Sequence, residues 1–167
     1  DVPETAGIGR YFISHHKPHH VVFPLAATLD FEINQFDSCA KEQAGEKIMQ
    51  IYAKDFGVEV KEDHSPLTEA DLASHHLICD ELSKLYPDIP ILSEESADSL
   101  TLADENACFW CVDPLDGTKE FIKKNDEFTV NIALIQNQQP ILGVIGVPAK
   151  NCIYAAVKGE GAFKKEG

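Results

Sequence analysis

Three apolar runs near the end of the chain are joined by links too short for anything but hairpins. Phe128 to Ile135, Ile141 to Val147 and Cys152 to Val157 read as strands, with turns at Asn137 to Pro140, Pro148 to Asn151 and Lys158 to Gly161. A parallel crossover needs about a dozen residues, so these strands must be antiparallel neighbours. A strand-like Ala162-Phe163 follows the last turn.

Upstream the period changes. Ile33, Phe36, Ala40, Ala44, Ile48, Ile51 and Tyr52 recur at helical spacing, and Gly57 is placed to close that helix. Val58 to Val60 is a short alternating strand, and Lys61 to Pro66 reads as a loop. Thr68-Glu-Ala-Asp71 opens a second helix, with Thr68 as cap and Asp71 in the position of a capping box. Leu72, His75, Ile78, Cys79, Leu82 and Leu85 form its expected apolar face, with His75 and His76 partly exposed, before Pro87 and Pro90 end it. The expected fold is therefore α+β: two N-terminal helices packed on a mostly antiparallel sheet. Residues 1–29 read as an irregular extension of unknown role, and residues 30–167 as one domain with a core of its own.

The chemistry concentrates in one stretch. The apolar run Phe109 to Val112 ends at Asp113, and Asp116, Gly117 and Thr118 follow it. Ile89 to Leu92 reads as a neighbouring strand, followed at once by Glu94 and Glu95. Lys119 to Asp126 reads as a charged connection. If Glu94, Asp113, Asp116 and Asp71 converge, they cannot all stay ionised without cations, because like charges raise each other's pKa. Oxygen-only donors favour Mg²⁺, Mn²⁺ or Ca²⁺ over zinc. Two such ions roughly 3.5–4 Å apart hold both sides of an in-line phosphoryl displacement. Asp113 is placed to bridge them, and the Leu115 carbonyl is a further oxygen. Gly117 lets backbone approach a phosphate, and Thr118 can relay a water proton to Asp71 if the two side chains touch. Against this stands an ordinary acidic turn, and a cation site with a purely structural role.

Charge and thiols bound the partners. The formal net charge of −14 argues against nucleic-acid backbones and anionic membrane surfaces, but leaves room for a small phosphorylated substrate neutralised by metal. No apolar run approaches the roughly 20 residues of a membrane span, so no integral membrane segment is expected. Five scattered cysteines, Cys39, Cys79, Cys108, Cys111 and Cys152, read as reduced thiols of a cytoplasmic protein, with peripheral attachment to the inner membrane as an alternative. Cys108 and Cys111 have zinc or redox spacing, yet on a strand they point to opposite faces, which favours plain thiols. The His15 to His20 cluster offers imidazoles to a transition metal, but Pro18 interrupts it and an irregular extension is the simpler reading.

Thr68-Glu-Ala-Asp71, Ser93-Glu94-Glu95 and Asp113-Pro-Leu-Asp-Gly-Thr118, in this order, resemble the inositol monophosphatase superfamily of Li⁺-sensitive, Mg²⁺-dependent phosphatases. The resemblance covers about Phe31 to Phe163. Asp63-His-Ser-Pro-Leu-Thr-Glu-Ala-Asp71, Lys119-Glu120-Phe121 and Phe128-Thr129-Val130-Asn131 look like its CysQ branch of 3′(2′),5′-bisphosphate nucleotidases. The sister inositol monophosphatases usually carry Thr-Asn-Phe after the Asp-Gly-Thr and a proline after the later phenylalanine.

The resemblance implies two or three Mg²⁺ ions held by Glu94, Asp113, Asp116 and the Leu115 carbonyl. It puts Glu94, Leu115, Asp116, Gly117 and Thr118 on the substrate side, the last three contacting the scissile phosphate. Asp71 and Thr118 activate water, and Glu95 acts from behind the ligands. The implied reaction takes adenosine 3′,5′-bisphosphate to AMP and phosphate, a step linked to sulfate assimilation. An inositol-phosphate substrate, or a non-catalytic phosphatase-like binding domain, are the alternatives. Family members continue into a C-terminal α/β domain carrying a Trp-Asp-x-Ala motif, whose Asp completes the second metal site. This chain has one tryptophan, Trp110, and no Trp-Asp pair. It is therefore expected to be the N-terminal half of an αβαβα sugar-phosphatase fold, truncated, with little activity alone and with the missing domain packing against it.

Overall fold

The computed structural model of the chain describes residues 43–61, 66–96 and 108–166. The N-terminal extension, the His15–His20 cluster, Cys39 and the first part of the expected first helix lie outside these residues. The expected α+β architecture holds. Helix α1 (Glu46–Tyr52), strands β1 (Val58–Val60) and β2 (Pro66–Thr68), and helix α2 (Glu69–Leu85) come first. Then follow β3 (Ile91–Ser93), β4 (Cys108–Asp116), α3 (Thr118–Ile122), β5 (Thr129–Gln136), β6 (Gln139–Val147), β7 (Cys152–Val157) and β8 (Gly161–Glu166). Strands β3 to β8 form one sheet in chain order, and β1 and β2 form a separate antiparallel pair.

Alternation in the strands decides which face of the sheet is covered. Trp110 and Val112 of β4, Val130, Ile132 and Leu134 of β5, Leu142 and Val144 of β6 and Ala155 of β7 share one buried cluster with Ile48 and Ile51 of α1 and Ile78 and Leu82 of α2. Both long helical segments thus lie on one side. On the other side Ile145 and Tyr154, cross-strand neighbours, are exposed. Among the described strands of this sheet, β3 and β4 pair parallel and β4 through β8 run antiparallel, the β5–β6, β6–β7 and β7–β8 pairs as their short links require. The first hairpin turns on Asn137 and Gln138, both at positive φ, so β6 begins two residues earlier than the Asn137–Pro140 turn implied.

Four expectations are corrected. The first helix ends at Tyr52, capped by Ala53, rather than at Gly57. Pro66, the last residue of the expected loop, instead opens a strand that runs to Thr68 and pairs with β1. Of the expected apolar face of α2, Ile78 and Leu82 are buried but Leu72 is exposed, and Ala70, Asp71 and Ser74 complete the buried side. The charged connection after Thr118 contains a short helix, α3, whose Phe121 is fully buried against Tyr52, Phe56 and Phe128 at ring-centroid distances of 4.8–5.2 Å.

Candidate functional site

The acids after Trp110 do not lie in a turn. Strand β4 continues through Asp116, and its register with β5 shifts midway: Asp113 faces Asn131 and Asp116 faces Thr129. Pro114 and Leu115 thus oppose Val130 alone. Such a bulge takes backbone groups out of the ladder and re-aims their neighbours. Each freed group finds a partner. The Pro114 carbonyl accepts from the buried Ser74 hydroxyl at 2.8 Å. The Leu115 N–H donates to Asp113 Oδ1 at 3.2 Å, and the Leu115 carbonyl lies 3.2 Å from Thr118 Oγ1.

Asp71 joins this bulge to helix α2. Its Oδ2 accepts from the Thr68 N–H (2.8 Å) and the Thr68 hydroxyl (2.6 Å), completing a capping box. Its Oδ1 is 3.0 Å from the Thr118 hydroxyl. One carboxylate therefore serves both readings: it caps the helix with one oxygen and reaches Thr118 with the other. At 1% exposure it is held in a single orientation. The Thr118 hydroxyl has one proton and two acceptors in reach, Asp71 Oδ1 and the Leu115 carbonyl.

The acidic side chains meet from two strand ends. Glu94 follows β3, and its N–H donates to the Val112 carbonyl at 3.0 Å, one residue before Asp113. Burial, then the charge and hydrogen bond of Glu94, then the charge of Asp116, push the Asp113 carboxyl up to about 7. Burial also raises Glu95, assisted by Glu94 and Asp71 and opposed by Lys61. Lys61 Nζ lies 2.6 Å from Glu95 and 3.1 Å from Glu94. Burial alone would lower the Lys61 ammonium; its bonds to Glu95 and Glu94 outweigh that and raise it. Lys61 neutralises part of the group, and among the described residues no basic side chain pairs with Asp113 or Asp116. Asn131 Nδ2 donates to Asp116 Oδ2 at 3.1 Å, while its buried Oδ1 has no partner among the described residues.

This donor set fits a hard divalent cation in its chemistry: carboxylates and a backbone carbonyl, with burial and then neighbouring negative charge raising the Asp113 pKa. Among the described residues, no three His, Cys, Asp or Glu side chains are yet gathered on one point. Gly117 lies at φ 94°, and a Cβ there would come within 2.8 Å of the Glu127 carbonyl. Cys79, Cys108 and Cys111 are raised by burial and stay thiols; Cys108 is buried and Cys111 exposed, on opposite faces of β4.

Sequence reasoning passed over Lys61, Ser74 and the Asn131 amide as site residues. Lys61 sat in what read as a loop, 33 residues from Glu94, and nothing in local pattern joins the two. Asn131 lies in Phe128-Thr129-Val130-Asn131, the motif that separates the two branches, and that placement is the sequence signal for it.

A family model described as the inositol monophosphatase family matches residues 30–166. The chain belongs to the inositol monophosphatase family. It is 53% identical over 125 residues to the 3′(2′),5′-bisphosphate nucleotidase CysQ of Escherichia coli O157:H7, a match covering 74% of this chain and 50% of that protein. Among solved structures, CysQ from Bacteroides thetaiotaomicron is 45% identical with a TM-score of 0.66, covering 83% of this chain and 51% of that one. The extragenic suppressor protein SuhB of Bartonella henselae is 30% identical with a TM-score of 0.71, covering 81% and 52%. The chain spans about half the length of the curated relatives it matches. No helix among the described residues is long and apolar enough to cross a membrane.

Proposed function

We propose that this chain is the metal-binding part of a Mg²⁺-dependent phosphomonoesterase that hydrolyses adenosine 3′,5′-bisphosphate to AMP and phosphate, in the service of sulfate assimilation. The observation that carries the reading is the Thr118 hydroxyl, 3.0 Å from a buried carboxylate and beside the Leu115 carbonyl at the edge of the acidic group. Glu94, Asp113, Asp116 and the Leu115 carbonyl would hold the metal, with Asn131 Oδ1 adjacent. Bound there, Mg²⁺ would acidify a coordinated water and neutralise phosphate charge.

The chain's own residues supply the proton path. Thr118 donates to Asp71 Oδ1, so its oxygen lone pairs are free to accept a proton from an attacking water. Asp71 Oδ1 receives the Thr118 proton, while its Oδ2 stays anchored by Thr68. Water adds to phosphorus as the bond to the nucleotide 3′ oxygen breaks; the leaving oxygen takes up a proton from solvent, and Asp71 returns the one it received to solvent once the products depart. Asp116, Gly117 and Thr118 border the phosphate, and Glu95, pinned by Lys61, holds Glu94's neighbourhood from behind. Residues 30–167 supply this half of the site. In a protein of the relatives' length, a further domain would pack beside it and add the remaining ligand and the nucleotide pocket.

The nucleotide rather than inositol reading rests on Lys119-Glu120-Phe121 and Phe128-Thr129-Val130-Asn131, and on the similarity to two CysQ proteins. The test is phosphate release from adenosine 3′,5′-bisphosphate and from inositol 1-phosphate by the whole protein with Mg²⁺. Preference for the nucleotide is expected; preference for the inositol ester moves the protein to the sister branch, and release from neither leaves a binding domain. Thr118→Ala should lower kcat by roughly 10²–10⁴ with little change in Tm. A full rate in that variant would remove Thr118 from the proton path.

A further inference from the structure

Strand β3 is three residues long and lies at the edge of the sheet, paired among the described residues with β4 alone. Glu94 is carried on its end. Backbone bonds to one neighbour are a weak hold for a residue whose carboxylate must be placed to a fraction of an ångström. A second hold comes from helix α2. His75 Nδ1 lies 2.8 Å from Ser93 Oγ, and Ser93 is only 4% exposed. With the ring proton on Nε2, the Ser93 hydroxyl donates to Nδ1. Cys79, one helical turn beyond His75, comes within 3.6 Å of the same nitrogen. Ser93 faces Val112 across the parallel pair, and the next residue's N–H bonds the Val112 carbonyl. The side-chain link and the backbone link therefore grip consecutive residues, directly before Glu94 turns towards Asp113.

We propose that His75 is a positioning residue of the acidic site, fixing the end of β3 through Ser93 so that Glu94 stands against Asp113. The same helix face thereby ties down three separate pieces of the site: Asp71 holds Thr118, Ser74 holds the Pro114 carbonyl in the bulge, and His75 holds the strand before Glu94. The metal part of this inference rests on reading Glu94 as a ligand; the tether itself does not.

Two readouts separate those layers in the full chain. Amide hydrogen exchange reports the tether: in His75→Leu the Glu94 N–H should lose protection while Ile132 and Leu134 in β5 keep theirs. Mn²⁺ affinity, followed by electron paramagnetic resonance, reports the consequence and should fall roughly 10–100-fold, as when a ligand's supporting partner is removed. His75→Asn keeps a hydrogen-bonding atom at the Nδ1 position and should recover much of both. Ser93→Ala serves if His75→Leu does not fold; it should match the leucine variant, and the double variant should add nothing further. Unchanged Glu94 protection in folded His75→Leu or Ser93→Ala, even with a lower Tm, overturns the tether. If the unaltered protein binds no Mn²⁺, the metal reading falls, and the exchange data still decide the tether.

Discussion

At the scale of single residues, the site is built from groups that do two things at once. Gly117, with no Cβ, lets the backbone approach a phosphate closely. Its left-handed φ of 94° and the Glu127 carbonyl, 2.8 Å from where a Cβ would stand, make glycine necessary for the fold as well. Gly117→Ala should therefore destabilise by about 1–3 kcal/mol, typical of a strained backbone conformation. Thermal melting of the variant checks this, and an unchanged Tm would mean that the backbone relaxes freely there. Asp113 is the other instructive residue. Its folded pKa, about 7, lies above that of an unfolded aspartate, roughly 3.9. A raised carboxylate pKa means that the folded state takes up a proton first, so the residue's unfavourable effect is greatest above pH 7 and fades as pH falls towards 4. In the presence of chelator, Asp113→Asn should thus be more stable than the parent above pH 7, and the gap should close on acidification. Urea titrations across that pH range would show it; a gap that widens at low pH contradicts the sign.

At the scale of elements, regular alternation carried through from sequence to structure and irregular backbone did not. The three C-terminal strands were legible because period 2 over six or more residues has few other readings, and their hairpins followed from link length. The convergence of Glu94 with Asp113 was legible as a strand pair. The bulge at Pro114 and Leu115 was not: an extra residue in a ladder leaves no periodic trace, and Pro114 made the acids look like a turn. Helix α3 was hidden for a related reason. Five residues, Thr118–Ile122, cannot show helical periodicity, and charges surround its one anchor. That anchor is Phe121, inserted among Tyr52, Phe56 and Phe128, with Lys124 over the Tyr52 ring at 4.4 Å. The aromatic cluster supports α3 from below and so sets where Thr118 stands relative to Asp71. Phe121→Ala should cost about 3–5 kcal/mol. Phe121→Leu should cost less, because most of the volume stays filled. Denaturant unfolding of both variants tests the ordering, and equal effects would mean that the cluster is not what holds the helix.

At the scale of the whole molecule, a net charge of −14 is spread over a chain with 14 basic and 28 acidic side chains. Generic repulsion of that kind is relieved by any salt through screening. The acidic site makes a narrower demand, because Asp113 is half-buried and its repulsion by Glu94 and Asp116 is screened far less. The two contributions can be told apart. KCl should raise Tm modestly and level off once surface charges are screened. MgCl₂ at matched ionic strength should raise it further, because a ligand that binds only the folded state stabilises by RT ln(1 + [L]/Kd), about 2.7 kcal/mol at a hundredfold excess over Kd. The increment belongs to the site, so it should vanish in Asp113→Asn while the KCl response survives. Equal Tm curves in KCl and MgCl₂ for the unaltered protein would mean that the carboxylates do not draw together around a cation in this chain. The ligand set would then need the remaining half of the relatives' length to close.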